Sequence, residues 1–232
     1  MSVHNSNSID WSRIRAILFD FDGVVVNSEP LYEEAELELI NTMGLQIPAD
    51  FFHHHKGVGE DVFYSVLIEK YGAQKTVIEL KDWGRELLKQ KFFTRLDYVS
   101  GFSEFFTFVK DRYLTAIVTS TRRDFMQWIF ENTSVTNPFA EMGTIDDVTE
   151  GKPAPEPYLN MCQRLNVLPE EALVIEDSLL GLRSAAHAGC QTVGITTTMP
   201  AARLAETAQC VINHFSELRV FLERKEYCHE MV

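Results

Sequence analysis

The segment IRAILFDFDG, residues 14–23, decides the predicted fold of this chain. Its apolar run from Ile14 to Phe19 contains one arginine and has the length and β-branched content of a buried strand. Two acids and a turn residue follow directly, at Asp20, Asp22 and Gly23. A polar turn that closes a strand uses the same residue types. Because open α/β sheets bind their ligands at the carboxyl ends of strands, the segment also predicts a candidate functional site.

Four later segments resemble this strand, and helical patterns separate them. The predicted strands are Leu114–Thr119, Ala140–Ile145, Ala172–Glu176 and Thr192–Ile195. Apolar residues with helical spacing occupy 102–109, 158–165 and 179–186. Asn166 and Gly189 stand where the last two of these helices are expected to end. A recurring order of strand and helix predicts an α/β fold, with a doubly wound parallel sheet and helices on both of its faces.

Residues 28–96 break this order, because they contain three helical patterns and no convincing strand. Pro30 favours the start of the first helix, which Gly44 ends, and the other two cover about 60–71 and 76–93. We therefore predict a tail, a core of two segments and an inserted helical cap. Their ranges are 1–12 for the flexible tail, 13–27 and 97–232 for the Rossmann-like core, and 28–96 for the cap.

Composition excludes several classes of protein. The chain has 232 residues, 45% of them hydrophobic and 24% charged, which is typical of a globular protein and not of a disordered chain. Its net charge of −13 argues against broad binding to nucleic acid or to anionic membranes. The four cysteines form no CxxC pair, and the sequence has no apolar run that suits a signal peptide or a membrane span. These features predict a soluble cytoplasmic protein with reduced thiols.

Three further motifs follow the other predicted strands. Thr119-Ser120-Thr121 supplies a hydroxyl and backbone N–H groups that suit a phosphoryl oxygen, although a helix N-cap uses the same residues. Lys152 lies in Gly-Lys-Pro-Ala-Pro, where two prolines restrict the loop; the alternative is a solvated lysine. Glu176-Asp177-Ser178 either caps a helix or adds acids to an oxygen-ligand site for Mg²⁺.

Together these motifs resemble a known family. FDFDG at 19–23, TST at 119–121, GKPAP at 151–155 and EDS at 176–178 are similar to the four motifs of the haloacid dehalogenase-like phosphotransferases. The resemblance runs from about Ile14 to Glu217, and the most similar subgroup is the beta-phosphoglucomutase-like sugar-phosphate phosphatases. It implies a five-stranded core in the order 3-2-1-4-5, with the first strand central. It also implies that the helical insert is the α-helical cap of the family.

The resemblance implies a mechanism with an aspartyl-phosphate intermediate. Asp20 is the implied nucleophile, and Asp22 protonates the leaving oxygen and then activates the hydrolytic water. Thr119, Ser120 and Lys152 bind the transferring phosphoryl group.

The same resemblance implies one cofactor, Mg²⁺. Its implied ligands are Asp20, the backbone carbonyl of Asp22, and Asp177. Glu176 is either a direct or an outer ligand.

Departures from related enzymes favour hydrolysis of a small phosphate monoester. True dehalogenases and phosphonatases lack the second acid of the pair, which here is Asp22. Beta-phosphoglucomutases carry a histidine at the position of Tyr32 and an arginine at the position of Glu60. The alternatives are a phosphomutase of that type and a non-catalytic protein that binds a phosphorylated metabolite.

Substrate specificity is expected to come from the cap and from the core beside it. His55 and Lys56 in the cap loop, together with Arg122 in the core, are the candidate specificity residues, and each has the alternative of a solvated surface residue. Ser28 and residues 98–101 are the expected cap hinges. The expected partner is a small phosphorylated metabolite, and no binding to nucleic acid or to a membrane is expected. The protein itself is expected to be a monomer or a weak dimer.

Overall fold

A parallel sheet of six strands forms the centre of the computed structural model. The model describes residues 9–52 and 59–229, with side chains up to residue 223. The strand order is β3-β2-β1-β4-β5-β6, and every neighbouring pair is parallel. The strands are β1 Ala16–Phe19, β2 Leu114–Val118, β3 Glu141–Gly143, β4 Ala172–Glu176, β5 Gln191–Ile195 and β6 Cys210–Ile212.

This topology confirms the predicted fold class and the predicted order 3-2-1-4-5, with β1 between β2 and β4. The sheet has one strand more than expected. Strand β6 has only three residues, all of them buried, so it offers neither the length nor the alternation by which a strand is recognised in a sequence.

Helices cover both faces of the sheet, and alternate residues of β1 point to the two faces. Ile17 and Phe19 belong to the larger apolar cluster with α4, α5 and α9, whereas Ala16 and Leu18 pack with α6 and α7. Burial on both faces explains why β1 is a continuous apolar run. The helices are α1 Glu29–Thr42, α2 Glu60–Tyr71, α3 Val77–Arg95, α4 Phe102–Val109, α5 Arg123–Asn132, α6 Glu156–Leu165, α7 Leu179–Ala188, α8 Ala201–Leu204 and α9 Phe215–His229.

Helices α1 to α3 lie between β1 and α4 in the chain and pack on one another, with α3 in contact with both of the others. The segments that enter and leave this insert run side by side: Asn27 N donates to Asp97 O at 2.9 Å, and Val99 N to Val25 O at 3.0 Å. The insert also touches the core where Phe92 of α3 stacks on Phe125 of α5, with ring centroids 5.9 Å apart. The division of the chain at residues 28 and 96 stays a prediction.

The described part of the predicted tail packs on the core. Ile9 is buried, and the Trp11 ring stacks on Phe221 with a centroid distance of 5.4 Å. A tail prediction based on polar composition therefore misses these two apolar anchors. Within the described residues, the helices lack the combination of length and apolar character needed to cross a bilayer.

Candidate active site

Parallel register brings three of the four motifs to one edge of the sheet. Phe19 pairs with Ile117 on one side and with Ile175 on the other, so the residues that follow these strands lie next to one another. Asp20 N donates to the Ile175 carbonyl at 3.0 Å, which extends the strand by one residue. As in other open α/β sheets, this carboxyl edge is where the polar side chains converge.

The fourth motif supplies Lys152, whose ammonium group lies at the centre of the site. Its Nζ is 2.7 Å from Asp20 Oδ1, 2.6 Å from Glu176 Oε1 and 2.9 Å from the Val118 carbonyl oxygen. These three acceptors match the three N–H donors of an ammonium group. The Tyr158 ring lies 5.2 Å from the same nitrogen. The lysine is therefore a buried, fully hydrogen-bonded cation and not the solvated loop residue of the alternative reading.

Burial controls the ionisation of this cluster. Desolvation and the neighbouring Glu176 raise the pKa of Asp20 to about 7, although Lys152 opposes the shift. Desolvation and the charge of Asp20 hold the pKa of Asp177 well above its usual range. For Lys152 desolvation favours the neutral amine, but the two carboxylates that it contacts outweigh this effect and raise its pKa. Among the described residues, the site therefore holds more acidic groups than Lys152 alone can balance.

The donor set fits a magnesium ion. Asp20, Glu176 and Asp177 each offer a carboxylate oxygen, and these oxygens all lie within 4.8 Å of one another. Mg²⁺ prefers oxygen ligands and is usually held by one or two carboxylates together with water and substrate phosphate. A divalent cation would also balance the excess of acid around Lys152.

Neighbouring side chains fix the two acids at the end of β4, Glu176 and Asp177. The Tyr158 hydroxyl donates to Glu176 Oε1 at 2.8 Å, and Ser178 Oγ donates to Glu176 Oε2 at 2.9 Å. The Thr198 hydroxyl donates to Asp177 Oδ2. Sequence reasoning missed the polar roles of Tyr158 and Thr198. Tyr158 lies on the apolar face of a helix, where its spacing predicts a core residue, while Thr198 lies in a loop without a motif.

Gly23 lies where a larger residue would collide with the acid cluster. Its φ is +74°, and a Cβ atom built on it would lie 1.9 Å from Asp177 Oδ2 and 2.8 Å from the Thr198 hydroxyl oxygen. Both the backbone conformation and the space therefore require glycine at this position.

Asp22 is held through one of its two carboxylate oxygens. Thr121 Oγ1 donates to Asp22 Oδ2 at 2.8 Å, and Thr121 N donates to Thr119 Oγ1 at 3.0 Å. Asp22 Oδ1 is buried and has no partner at hydrogen-bond distance among the described residues. Desolvation raises the pKa of Asp22, and the hydroxyls of Ser28 and Thr121 oppose that shift. Thr121 therefore anchors one oxygen of Asp22, whereas the other is buried without a partner at hydrogen-bond distance among the described residues.

The remaining predicted residues lie just after β2, just before α5 or outside the described structure. Thr119 is buried at the end of β2, and Ser120 beside it is exposed. Arg122 precedes α5, with Nε 3.3 Å from Asp124 Oδ1 and Nη1 3.8 Å from Asp146 Oδ1. His55 and Lys56 lie outside the residues that the structure describes, so their proposed role in specificity stays a prediction.

Comparison with known proteins is consistent with this geometry. Residues 17–195 match the family model described as haloacid dehalogenase-like hydrolase. The phosphorylated carbohydrates phosphatase of Thermotoga maritima is 32% identical over 182 residues, which are 78% of this chain and 84% of that protein. The validoxylamine A 7′-phosphate phosphatase of Streptomyces hygroscopicus subsp. limoneus is 30% identical over 206 residues, covering 88% of this chain and 96% of the relative.

A solved structure of a related protein has a similar fold. A Thermotoga maritima protein, provisionally assigned as a beta-phosphoglucomutase, superposes with a TM-score of 0.75 at 31% identity, over 90% of this chain and 99% of that one. The family match spans well over half of the chain. The chain therefore belongs to the haloacid dehalogenase-like hydrolase family, as its four motifs predicted.

Proposed function

We propose that this protein is a Mg²⁺-dependent phosphatase that hydrolyses a small phosphate monoester, such as a sugar phosphate, through an aspartyl-phosphate intermediate. The observation that carries the proposal is the Asp20 carboxylate, which Lys152 holds at 2.7 Å beside two further carboxylates. The names of the two phosphatases reported above support phosphorylated, carbohydrate-like compounds as the substrate class.

Asp20 is the proposed nucleophile. It attacks phosphorus, the bond from phosphorus to the leaving oxygen breaks, and an acyl phosphate forms on the Asp20 carboxylate. The buried Lys152 makes this approach feasible, because two like charges ~4 Å apart repel by about 4 kcal/mol at an effective dielectric of 20. Lys152, the buried Thr119 hydroxyl and the backbone N–H groups around Ser120 are the proposed binding groups for the phosphoryl oxygens.

Asp22 is the proposed general acid and base. In its protonated form it donates a proton to the leaving oxygen, and as a carboxylate it then takes a proton from the water that cleaves the acyl phosphate. Its raised pKa supports this role, and Thr121 anchors one of its two carboxylate oxygens at 2.8 Å.

Asp20, Asp177 and the Asp22 backbone carbonyl are the proposed magnesium ligands, with Glu176 as a direct or outer ligand. A bound Mg²⁺ neutralises charge on the phosphoryl oxygens and on the surrounding acids. Tyr158, Ser178 and Thr198 keep Glu176 and Asp177 in place for that purpose.

Gly23→Ala tests whether the space beside Asp177 matters for the metal. The added methyl group would displace the Asp177 carboxylate. We therefore expect the Mg²⁺ concentration for half-maximal activity to rise about 10–100-fold, which is the usual loss of metal affinity when a residue that orients a metal ligand is mutated. Gly44→Ala is the matched control, because Gly44 also has a positive φ, +67°, but nothing within 4 Å of its Cβ position. An equal effect of both substitutions on the Mg²⁺ requirement would contradict the assignment of Asp177.

Two observations favour hydrolysis over mutase chemistry. A mutase must hold a phosphate at each end of a bisphosphate, whereas Glu60 stands where the mutases have an arginine. Tyr32 stands where the mutases have a histidine. We propose that specificity comes from the cap over residues 28–96, which closes during reaction, and from His55, Lys56 and Arg122.

The proposed setting is the cytoplasm, with a monomer or weak dimer acting on a free metabolite. Reduced, buried thiols at Cys162, Cys190 and Cys210 support a reducing compartment.

A phosphate-release screen over metabolite esters tests the proposal. We expect Mg²⁺-dependent release from sugar or related phosphates, and loss of that release when a chelator removes the metal. A parallel reaction with glucose 1-phosphate, followed by phosphorus NMR, distinguishes a phosphatase from a phosphomutase. Isomerisation without phosphate release would establish a mutase, and inertness toward the whole panel, including aryl phosphates, would favour a binding protein.

A further inference from the structure

We propose that Asp147 is a positioning residue that, through Arg123, fixes the loop proposed to bind the phosphoryl group. This phosphoryl loop comprises residues 119–121, between β2 and α5. The inference rests on the proposed phosphatase function and extends it to the turn that follows β3. A backbone hydrogen bond at the start of the loop and side-chain contacts just beyond its end carry the inference.

The neighbouring strand holds the phosphoryl loop at its first residue. Thr119 N donates to the carbonyl of Gly143, the last residue of β3, at 2.9 Å. The pairing of β2 with β3 therefore continues one residue into the loop. The turn at residues 144–147 follows Gly143 directly, so this turn and the phosphoryl loop lie side by side at the carboxyl edge of the sheet.

Two acids of the turn hold Arg123, the first residue of α5, just beyond the phosphoryl loop. Arg123 N donates to Asp146 Oδ2 at 2.7 Å, and Arg123 Nη2 donates to both carboxylate oxygens of Asp147, at 2.7 and 2.5 Å. Arg122 occupies the N-cap position of α5 and supplies no side-chain hydrogen bond to the helix. Asp146 therefore takes over, from a distant segment, the capping role that an N-cap Ser, Thr, Asp or Asn usually has.

Asp147 is itself fixed within the turn. Its Oδ2 atom accepts from the Thr144 backbone N–H at 2.7 Å and from the Thr144 hydroxyl at 2.9 Å, and Thr144 is buried. Desolvation opposes ionisation, but the hydrogen bonds from Arg123 and Thr144 outweigh it and hold the pKa of Asp147 below its usual value. One charged carboxylate therefore connects the end of β3 to the helix that follows the phosphoryl loop.

This pair differs from an isolated surface ion pair, although the side chains of Arg123 and Asp147 are 45% and 31% exposed. Isolated exposed pairs contribute little to the free energy of unfolding, because ordering two long side chains offsets their attraction. Here Thr144 already fixes Asp147, so only Arg123 has to be ordered. The effect on catalysis can still be large, because groups that bind a phosphoryl group must be held in place beforehand, and a displacement of about 1 Å can cost on the order of 100-fold in rate.

The experiment compares Asp147→Asn and Arg123→Gln with wild-type protein on p-nitrophenyl phosphate, or on the most active ester of the phosphate-release screen. We expect kcat/KM to fall about 10–100-fold in each variant, the scale of a misplaced binding group, and the inhibition constant of inorganic phosphate to rise. The double variant should lose little more than either single one, because both substitutions break one ion pair.

Two further measurements separate positioning from a general loss of structure. The thermal midpoint should change little, because the pair is partly exposed. Calorimetric titration of the metal-free variants with Mn²⁺ alone, which suits carboxylate sites, should give the wild-type affinity, since the proposed metal ligands follow β1 and β4 and not β2. A fall in Mn²⁺ affinity equal to the fall in phosphate affinity would overturn the inference.

Asp147→Asn also separates positioning from direct binding of phosphate by Arg123. If Arg123 itself bound phosphate, its release from Asp147 would leave that contact free to form, and phosphate affinity would stay the same or rise. If Arg123 instead holds the phosphoryl loop, its release weakens phosphate binding. Unchanged or improved phosphate affinity in Asp147→Asn would therefore overturn the inference while the proposed function stands.

Arg164→Gln is the matched control. Arg164 on α6 forms an ion pair of similar exposure, 39% and 37%, with Glu141 of β3, and it donates to the Met142 carbonyl at 3.1 Å. Its loss removes an ion pair from the same strand without changing the contacts of Arg123, so kcat/KM should stay at the wild-type value. An equal loss in Arg164→Gln and Asp147→Asn would overturn the inference.

Folding and activity of the proteins complete the test. If both Asp147→Asn and Arg123→Gln fail to fold while Arg164→Gln folds, the pair is structural and the inference is overturned. If only one of them folds, its phosphate and Mn²⁺ affinities decide. Wild-type protein that releases no phosphate from any ester of the screen would overturn both the inference and the proposed function.

Discussion

Asp20→Asn is expected to abolish phosphate release and to leave the fold intact. The amide has no nucleophilic carboxylate oxygen, so turnover should fall by at least ~10⁴-fold, the scale seen when the nucleophile of a covalent mechanism is removed. The fold should tolerate the change because Lys152 keeps two acceptors, Glu176 and the Val118 carbonyl. Loss of one buried acid also removes repulsion from Glu176. Phosphate release tests the expected loss of turnover, and thermal unfolding of the same preparation tests whether the fold is intact.

Two companion variants make this result specific. Asp111→Asn makes the same chemical change at an exposed position and should leave turnover unchanged. Asp20→Ala cannot regain a carboxylate by deamidation and should be as inactive as Asp20→Asn. Full activity in either Asp20 variant would contradict the nucleophile assignment, whereas inactivity with a lost thermal transition would indicate unfolding.

Much of the fold follows from patterns that physics imposes on sequence. Strand β1 is predictable because both of its faces are buried, which forces a continuous apolar run. Helix α6 ends at Asn166, with φ of +53°, and α7 ends before Gly189, with φ of +86°, as their stop signals predicted. Strand β6 has only three residues, which is too few to produce such a pattern. Ile9 and Trp11 are single apolar residues in a polar segment, so they produce none either.

The part of the candidate site that could be predicted consists of polar residues that stand at the ends of predicted strands. Asp20 and Glu176 could be placed together because parallel strands end at one edge. Tyr158 and Thr198 could not, since each contacts an acid across the tertiary structure and not along its own element. Sequence likewise suggested a positive charge at Lys152 but not that its ammonium group bridges Asp20 and Glu176. Such contacts depend on packing and leave no local signal.

Lys152→Met is expected to destabilise the fold strongly above neutral pH. The substitution leaves Asp20 and Glu176 buried without their cation, and breaking a buried ion pair costs about 3–5 kcal/mol of unfolding free energy. Lys89→Met is the matched control, because Lys89 forms a more exposed pair with Glu86 at 2.7 Å, and such pairs contribute only about 0–1 kcal/mol. Chemical denaturation of the three proteins at pH 8 gives the comparison.

The sign of the pH dependence distinguishes this account from a simple packing defect. The pKa of Asp20 in the wild-type fold is about 7 against 3.8 when unfolded, and Lys152 is one of the groups that lower it. Without Lys152, folded Asp20 keeps its proton to higher pH than in the wild type, so the variant loses stability relative to wild type as the pH rises through 7. Below that range Asp20 is protonated in the folded state of both proteins, so its contribution to their difference in unfolding free energy should shrink.

A second substitution keeps the test decisive if Lys152→Met does not fold at pH 8. Adding Glu176→Gln removes the other uncompensated acid, so the double variant should recover part of the lost stability although it stays inactive. A loss that is equal at pH 5.5 and 8, and that Glu176→Gln does not reduce, would mean that Lys152 acts by packing alone. A pH-dependent loss with rescue would instead identify one lysine as the cation that allows buried acids to share a phosphoryl-transfer site.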